Sequence, residues 1–228
     1  MRRSIYRLKK PGRPSRLACA EEQSHEVEIA SRPCEHNPDH HVPTTADEGR
    51  LRVLLDRPRV GDFVWVWGGG CLLPRPTLRI LSQAGLTGFC TRPVIVTRVR
   101  GARKAPAPVL HELVVAGRAG EAPPESGIGV SYRCPACGYA EYTYFTDPAG
   151  LMDWEAWDGS DFFTIWPLPM FVFITERVAQ ALEENGLTNY ELTRIEELDV
   201  DPLSVAAGLA PGAREYWNER VRHCTAGE

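Results

Sequence analysis

The sequence predicts an α+β protein: antiparallel-rich sheets with short helices, in two internally duplicated halves. Three observations carry this. First, an ordered set of residues recurs at a distance of about one hundred positions: Cys34 and Cys134, Asp62-Phe63 and Asp161-Phe162, Trp67 and Trp166, Gly85-Leu86-Thr87 and Gly186-Leu187-Thr188. An ordered recurrence turns scattered residues into equivalent positions. Second, the apolar runs are short, β-branched and aromatic, as strands require. Third, 19 prolines and 20 glycines in 228 residues punctuate the chain into many brief elements. A hydrophobic fraction of 43% is ample for a core and argues against disorder.

Residues 1–30 read as a basic, proline-broken arm followed by a first strand. Met1 to Arg16 carries seven basic residues and reads as a solvated tail. His25 to Ala30 alternates, with Val27 and Ile29 on one side. Residues 31–120 form the first half. It opens with a polar loop, Pro33 to Pro43, and continues with a strand over Phe63 to Trp67. Thr77 is placed to cap a short helix over Leu78, Ile80 and Leu81, and Gly85 stands where a helix end favours a left-handed residue. Strands follow over Pro93 to Val99 and Val109 to Val115.

Residues 121–200 form the second half. Aromatic residues Tyr132, Tyr139, Tyr142, Tyr144 and Phe145 favour strands on both sides of Cys134-Pro135-Ala136-Cys137-Gly138. Phe162 to Trp166 and Met170 to Ile174 read as strands, and Thr175 caps a helix with Val178, Ala181 and Leu182 on one face. Asn185-Gly186 ends that helix, and Tyr190 to Ile195 alternates as a strand. Residues 201–228 read as an appendage with one helix, Ala213 to Arg222.

The net charge of −4 hides an asymmetry. Residues 1–120 carry 20 Lys+Arg against 11 Asp+Glu, and residues 121–228 carry 6 against 19. Such a molecule offers an acidic face to a basic partner, or its halves attract each other. No stretch is long and apolar enough to span a bilayer, so no membrane partner is expected. Met1 to Arg16 has no apolar leader, and the expected compartment is a reducing cytoplasm. There, paired cysteines more often bind metal than form structural disulfides.

Cys134-x-x-Cys137-Gly138 suits a zinc knuckle: two thiolates span one edge of a tetrahedron, and the glycine permits the tight turn behind the second sulfur. The other two ligands must come from elsewhere, and the duplicated loop around Cys34 is the natural donor. At the repeat offset Asn37 falls opposite Cys137, and asparagine is a poor zinc ligand, but His36 and His40 flank it. The expected structural zinc site is Cys34, His36, Cys134 and Cys137, with His40 the alternative fourth ligand. The halves would then join across this knuckle. A thioredoxin-like dithiol needs a helix after the second cysteine; Tyr139 to Tyr144 reads as strand, which disfavours redox catalysis.

Other candidates are less specific. Asp39-His40-His41-Val42-Pro43 resembles the Asp-His-x-x-Pro stretch of HNH nucleases, in which a histidine activates water beside a metal. That gives an alternative reading as a metal-dependent nuclease; Arg2 to Arg16 gives another, a zinc-stabilised nucleic-acid binder. Gly68-Gly69-Gly70 lacks the following Lys-Ser/Thr of a phosphate loop. Cys71, Cys90 and His111 read as packed core residues. Asp153-Trp154-Glu155-Ala156-Trp157-Asp158 interleaves acid and indole, as anchors of an acidic binding face or as core tryptophans on a loop. Glu196, Glu197, Asp199 and Asp201 form a second acidic run.

Five of these features together resemble the double-CXXCG immunity proteins of bacterial contact-dependent toxin–immunity systems. They are Cys34, Gly61-Asp62-Phe63-Val64-Trp65, Gly85-Leu86, Cys134 to Gly138, and Ile174-Thr175-Glu176-Arg177. The similarity spans roughly Cys34 to Glu197. The chain departs from the pattern at the first motif, where one cysteine is absent and histidines crowd in. The resemblance implies a protein without enzymatic activity that binds a cognate toxin, encoded by an adjacent gene, and blocks it by occlusion. The acidic second half would then face the toxin, and nucleic acid is not an expected partner.

Overall fold

A computed structural model of the chain describes residues 4–13, 15–25, 31–43, 49–67, 69–102 and 106–199. The predicted helix over Ala213 to Arg222 and most of the strand over His25 to Ala30 lie outside these residues. The described chain begins with β1 (Ile5–Lys9), β2 (Ala20–His25), β3 (Ser31–Pro33), β4 (His41–Pro43), β5 (Leu51–Leu55), β6 (Val64–Trp65) and β7 (Cys71–Pro74). Helix α1 (Arg75–Gln83) follows, then β8 (Phe89–Pro93), β9 (Ile95–Val99), β10 (Leu110–Val115), β11 (Gly117–Glu121), β12 (Val130–Arg133) and β13 (Ala140–Tyr142). The last elements are β14 (Phe162–Trp166), β15 (Val172–Thr175), α2 (Glu176–Glu184) and β16 (Glu191–Arg194). The protein is α+β with mostly antiparallel sheets, as the sequence predicts.

Two sheets dominate. One has the order β11-β14-β15-β1-β16 and the other β6-β7-β10-β8. Each is buried on both faces, and the alternation of its strands shows why. In the four-stranded sheet, Phe63, Trp65, Cys71 and Leu73 face a core shared with the helices. Val64, Val66, Leu72 and Leu110 face an outer core against β2-β5-β9. In the five-stranded sheet, Phe162, Ile174 and Leu8 face the same helical core. Ile5, Phe163, Ile165 and Phe173 face an outer core closed by Phe145, Leu151, Met152 and Leu168. Helices α1 and α2 lie together over the seam, and Leu81, Leu86, Val178 and Leu182 fill it. Each such side chain contributes about 1.5–3 kcal/mol when fully buried.

The two strand–helix units are built alike. Strands β7 and β15 have 4 residues each, and α1 and α2 have 9. Val64 faces Leu72 across its strand pair as Phe163 faces Phe173 across the other. Each helix ends on a left-handed glycine, Gly85 at φ 60° and Gly186 at φ 61°. The amide of Leu86 donates to the Leu81 carbonyl (3.3 Å) and that of Leu187 to the Leu182 carbonyl (3.0 Å), the closing bond of a Schellman cap.

The units are also tied to each other. Asp161 accepts from the Thr87 amide (2.9 Å) and hydroxyl (3.1 Å), while Asp62 accepts from the Thr188 amide (2.8 Å) and hydroxyl (2.7 Å). The aspartate of each Asp-Phe pair thus holds the threonine of the other unit's Gly-Leu-Thr.

Three local readings are corrected. The segment expected as a basic solvated arm contains β1, an interior strand paired antiparallel to both β15 and β16. Its register buries Ile5 and Leu8 in opposite cores, and the Arg7 guanidinium lies 3.4 Å from the Phe171 ring centroid. Two buried aliphatic side chains and pairing with a strand on each side outweigh the neighbouring charges: Arg7 stacks on Phe171 and Lys9 pairs with Glu191. Thr77 does not cap α1: Pro74 occupies the cap position, and the Thr77 hydroxyl donates to the Asp62 carbonyl (3.1 Å). Thr175 does stand at the cap of α2, but its hydroxyl donates to Asp161 (2.9 Å) rather than holding a helix amide.

Candidate metal centre

Two small hairpins build the site. In the first, β3 and β4 pair antiparallel, Pro33 opposite His41. The residues just inside that pair are Cys34 and His40, so hairpin register sets them face to face. The Cys34 amide donates to the His40 carbonyl (2.9 Å), and the His40 amide donates to the Asn37 carbonyl (3.0 Å). The His36 amide donates to Cys34 Sγ (3.3 Å).

In the second hairpin, β12 and β13 pair with Arg133 opposite Ala140. The Cys134 amide donates to the Tyr139 carbonyl (2.8 Å), and the Gly138 amide returns to the Cys134 carbonyl (2.9 Å). Gly138 has φ 77°, the left-handed turn that the sequence assigns to it.

The hairpins meet through their loops. Cys34, His40, Cys134 and Cys137 bring four donor atoms within 4.8 Å of one another, a group that could hold a metal ion. Cys34 Sγ lies 3.9 Å from Cys134 Sγ, and Cys137 Sγ lies 3.7 Å from His40 Nδ1. A tetrahedral ion with metal–sulfur bonds of about 2.3 Å needs sulfur–sulfur edges of about 3.8 Å. The Cys34–Cys134 sulfur edge, at 3.9 Å, is close to that requirement. Cys34, His40 and Cys134 are buried and Cys137 is half-buried. The His40 ring stacks on Tyr139 at 3.9 Å and 14°, which fixes its plane.

The thiols are electrostatically unequal. Burial pushes the Cys134 thiol up, but bonds from the Cys137 and Ala136 amides and from the His40 and Cys137 side chains outweigh it and bring it down to about 6. Cys137 moves the other way, raised by burial and by the neighbouring Cys134 and Cys34 sulfurs, despite the Tyr139 amide. Of these two thiols Cys134 therefore ionises before Cys137, and a bound cation would favour the thiolate form.

Of the expected ligand set, the structure brings together Cys34, Cys134 and Cys137. The fourth member is His40 and not His36, whose side chain is exposed in the hairpin loop just before the Asn37-Pro38-Asp39 turn. The reason is the hairpin: positions 34 and 40 close it, so their side chains meet, while position 36 lies at its tip. Asn37 was matched to Cys137 by the repeat offset; its side-chain nitrogen lies 3.2 Å from His40 Nε2. Neither Asn37 nor Tyr139 was read as part of the site. The turn signal Asn-Pro-Asp at 37–39, centred between Cys34 and His41, is the feature that could have indicated the hairpin.

The remaining candidates lie elsewhere. Cys71 and Cys90 are buried, and burial pushes the Cys71 thiol up. In the acid–indole loop, Asp153 accepts from the Glu155 and Ala156 amides (both 3.0 Å), and Asp158 from the Arg118 (2.8 Å) and Ser160 (2.9 Å) amides. These carboxylates shape the loop. Trp157 packs on Phe163, and Trp154 stays 39% exposed at its tip. Among the described residues no helix is long and apolar enough to cross a membrane. No protein-family model matches the chain, and no curated protein matches it.

Proposed function

We propose that this chain is a zinc-stapled immunity protein: a non-enzymatic binding protein of the cytoplasm that neutralises a cognate toxin by occlusion. The observation that carries the metal half of this reading is the closed donor set Cys34, His40, Cys134 and Cys137. Three thiolates and an imidazole suit zinc, and four protein donors leave no coordination position for water or substrate, which is the arrangement of structural rather than catalytic zinc. The toxin-binding half rests on the resemblance of the Asp-Phe-x-Trp, Gly-Leu, Cys-x-x-Cys-Gly and Thr-Glu-Arg segments to double-CXXCG immunity proteins. The matching strand–helix units and their reciprocal Asp–Thr bonds support a further part of the proposal, that the halves descend from one duplicated unit.

The nuclease alternative asks His40 to activate water. His40 is only 5% exposed, with Nδ1 at Cys137 and Nε2 at Asn37, which speaks against that role. The nucleic-acid alternative used the basic segment as a free arm, and β1 occupies part of it.

Two measurements test the reading. The neighbouring gene's product is expressed in a heterologous host with and without this chain: rescue of growth and co-purification are expected, and an unopposed toxic neighbour sinks the immunity reading. Metal analysis of the purified protein, followed by melting in excess chelator, is expected to find one zinc and a large loss of stability. Full stability without metal sinks the zinc staple while leaving the rescue result intact.

A further inference from the structure

The fourth ligand has a built-in conflict, and Asn37 is its source. Asn37 Oδ1 accepts the Asp39 amide (3.0 Å), an Asx turn that fixes which end of the side-chain amide faces inward. The end left facing His40 is the NH₂ group, 3.2 Å from Nε2. Nδ2 can only donate, so Nε2 must accept. The neutral ring then carries its proton on Nδ1, the nitrogen that lies 3.7 Å from Cys137 Sγ. In this state His40 is a hydrogen-bond donor to the sulfurs. A metal ligand needs the opposite: a lone pair on Nδ1 and the proton on Nε2.

We propose that Asn37 is a positioning residue that holds His40 in the Nδ1–H tautomer until metal arrives, so that metal capture requires the Asn37 amide to turn over and the ring proton to change nitrogens. This rests on the zinc reading above. The proton balance is simple. Nδ1 gives its proton to solvent as it binds the ion, Nε2 takes one up, and the ring stays neutral. The thiol protons leave to water as the sulfurs bind. The rotated Asn37 then presents Oδ1 to the Nε2–H and releases the Asp39 amide. Tyr139, stacked on the ring face, allows this exchange without moving the ring plane.

The geometry names its own test variant. Asp at position 37 offers two acceptors: one for the Asp39 amide and one for Nε2–H, at once. The Asx turn survives, so the fold is kept, and the conflict is gone. Partners of this kind on a ligating histidine change metal affinity by about 10–100-fold when altered. The experiment uses the reduced full chain with nitrogen-15 histidine. In the metal-free protein, NMR is expected to show the Nδ1–H form of His40 in the wild type and the Nε2–H form in Asn37→Asp. In competition with a chelator for zinc, Asn37→Asp is expected to bind roughly tenfold more tightly. A wild-type ring already in the Nε2–H form, or equal zinc affinities, overturns the proposal and leaves the zinc site standing. Zinc uptake by neither protein overturns the zinc site itself.

Discussion

Asp161 is the buried carboxylate through which the two units are clasped. It is 6% exposed and takes bonds from the Thr87 amide and hydroxyl, the Thr175 hydroxyl and the Arg177 guanidinium (2.9 Å). Its own amide receives the Thr87 hydroxyl oxygen (3.2 Å) as acceptor. Removing the side chain leaves the buried Thr175 hydroxyl without its acceptor and takes a part-buried acceptor from the Thr87 amide and hydroxyl, whereas the half-exposed Arg177 is rehydrated. The expected cost of Asp161→Ala is therefore that of the neutral groups, about 2–3 kcal/mol, and not that of a buried ion pair. The reciprocal Asp62 is half-buried and holds one threonine, so Asp62→Ala is expected to cost about 1 kcal/mol. Urea denaturation of the two variants measures both. A cost for Asp62→Ala equal to or above that of Asp161→Ala would show that burial does not set the strength of these clasps. At the same scale, the three thiols of the site were legible because cysteine spacing is itself chemical information. The choice between His36 and His40 was not, because it depends on which residues a hairpin register closes together.

Elements were legible where their signal is local. Both helices are marked by an apolar face and a terminal glycine, and the hairpin around the Cys-x-x-Cys is marked by its aromatic density. Strand β1 was not legible, because its evidence is non-local: Ile5 and Leu8 are buried only once β15 and β16 close on either side. The short run Ile-Tyr-Arg-Leu-Lys does not outweigh the surrounding basic residues in a reading of sequence alone. The helix-end glycines give a clean test at this scale. A Cβ added at Gly186 would meet nothing within 4 Å, so substitution there meets no clash and isolates the backbone term at φ 61°. Gly186→Val is expected to cost about 1–2 kcal/mol, read as a lowered urea midpoint with an unchanged slope. A neutral result would mean the Schellman cap of α2 does not need its left-handed residue.

On the scale of the whole molecule, the sequence asymmetry between a basic first part and an acidic second part takes a different form once folded. Strand β1 carries Arg7 and Lys9 into the middle of the acidic half's sheet, and Lys9 pairs with Glu191 at 2.9 Å. Part of the imbalance is thus neutralised inside the fold, and the acidic loop at Asp153 and Asp158 spends its carboxylates on backbone amides. Among the described residues, one acidic cluster that stays exposed to a partner is the turn after β16. Ile195 and Leu198 anchor it in the core, while Glu196, Glu197 and Asp199 are exposed. Glu196 has an exposed partner, Arg194, at 3.3 Å, a contact of little energy in water. If the toxin presents a basic surface, these carboxylates act mainly on the rate of encounter. Reversing Glu196, Glu197 and Asp199 to Lys is then expected to leave the melting temperature nearly unchanged, to slow association at low salt by tenfold or more, and to weaken protection in the rescue assay. The difference from wild type should shrink as salt rises, since screening shortens the reach of exposed charge to about 8 Å at physiological ionic strength. Undiminished protection would place the toxin-facing surface elsewhere, with the exposed Trp154 the next position to change.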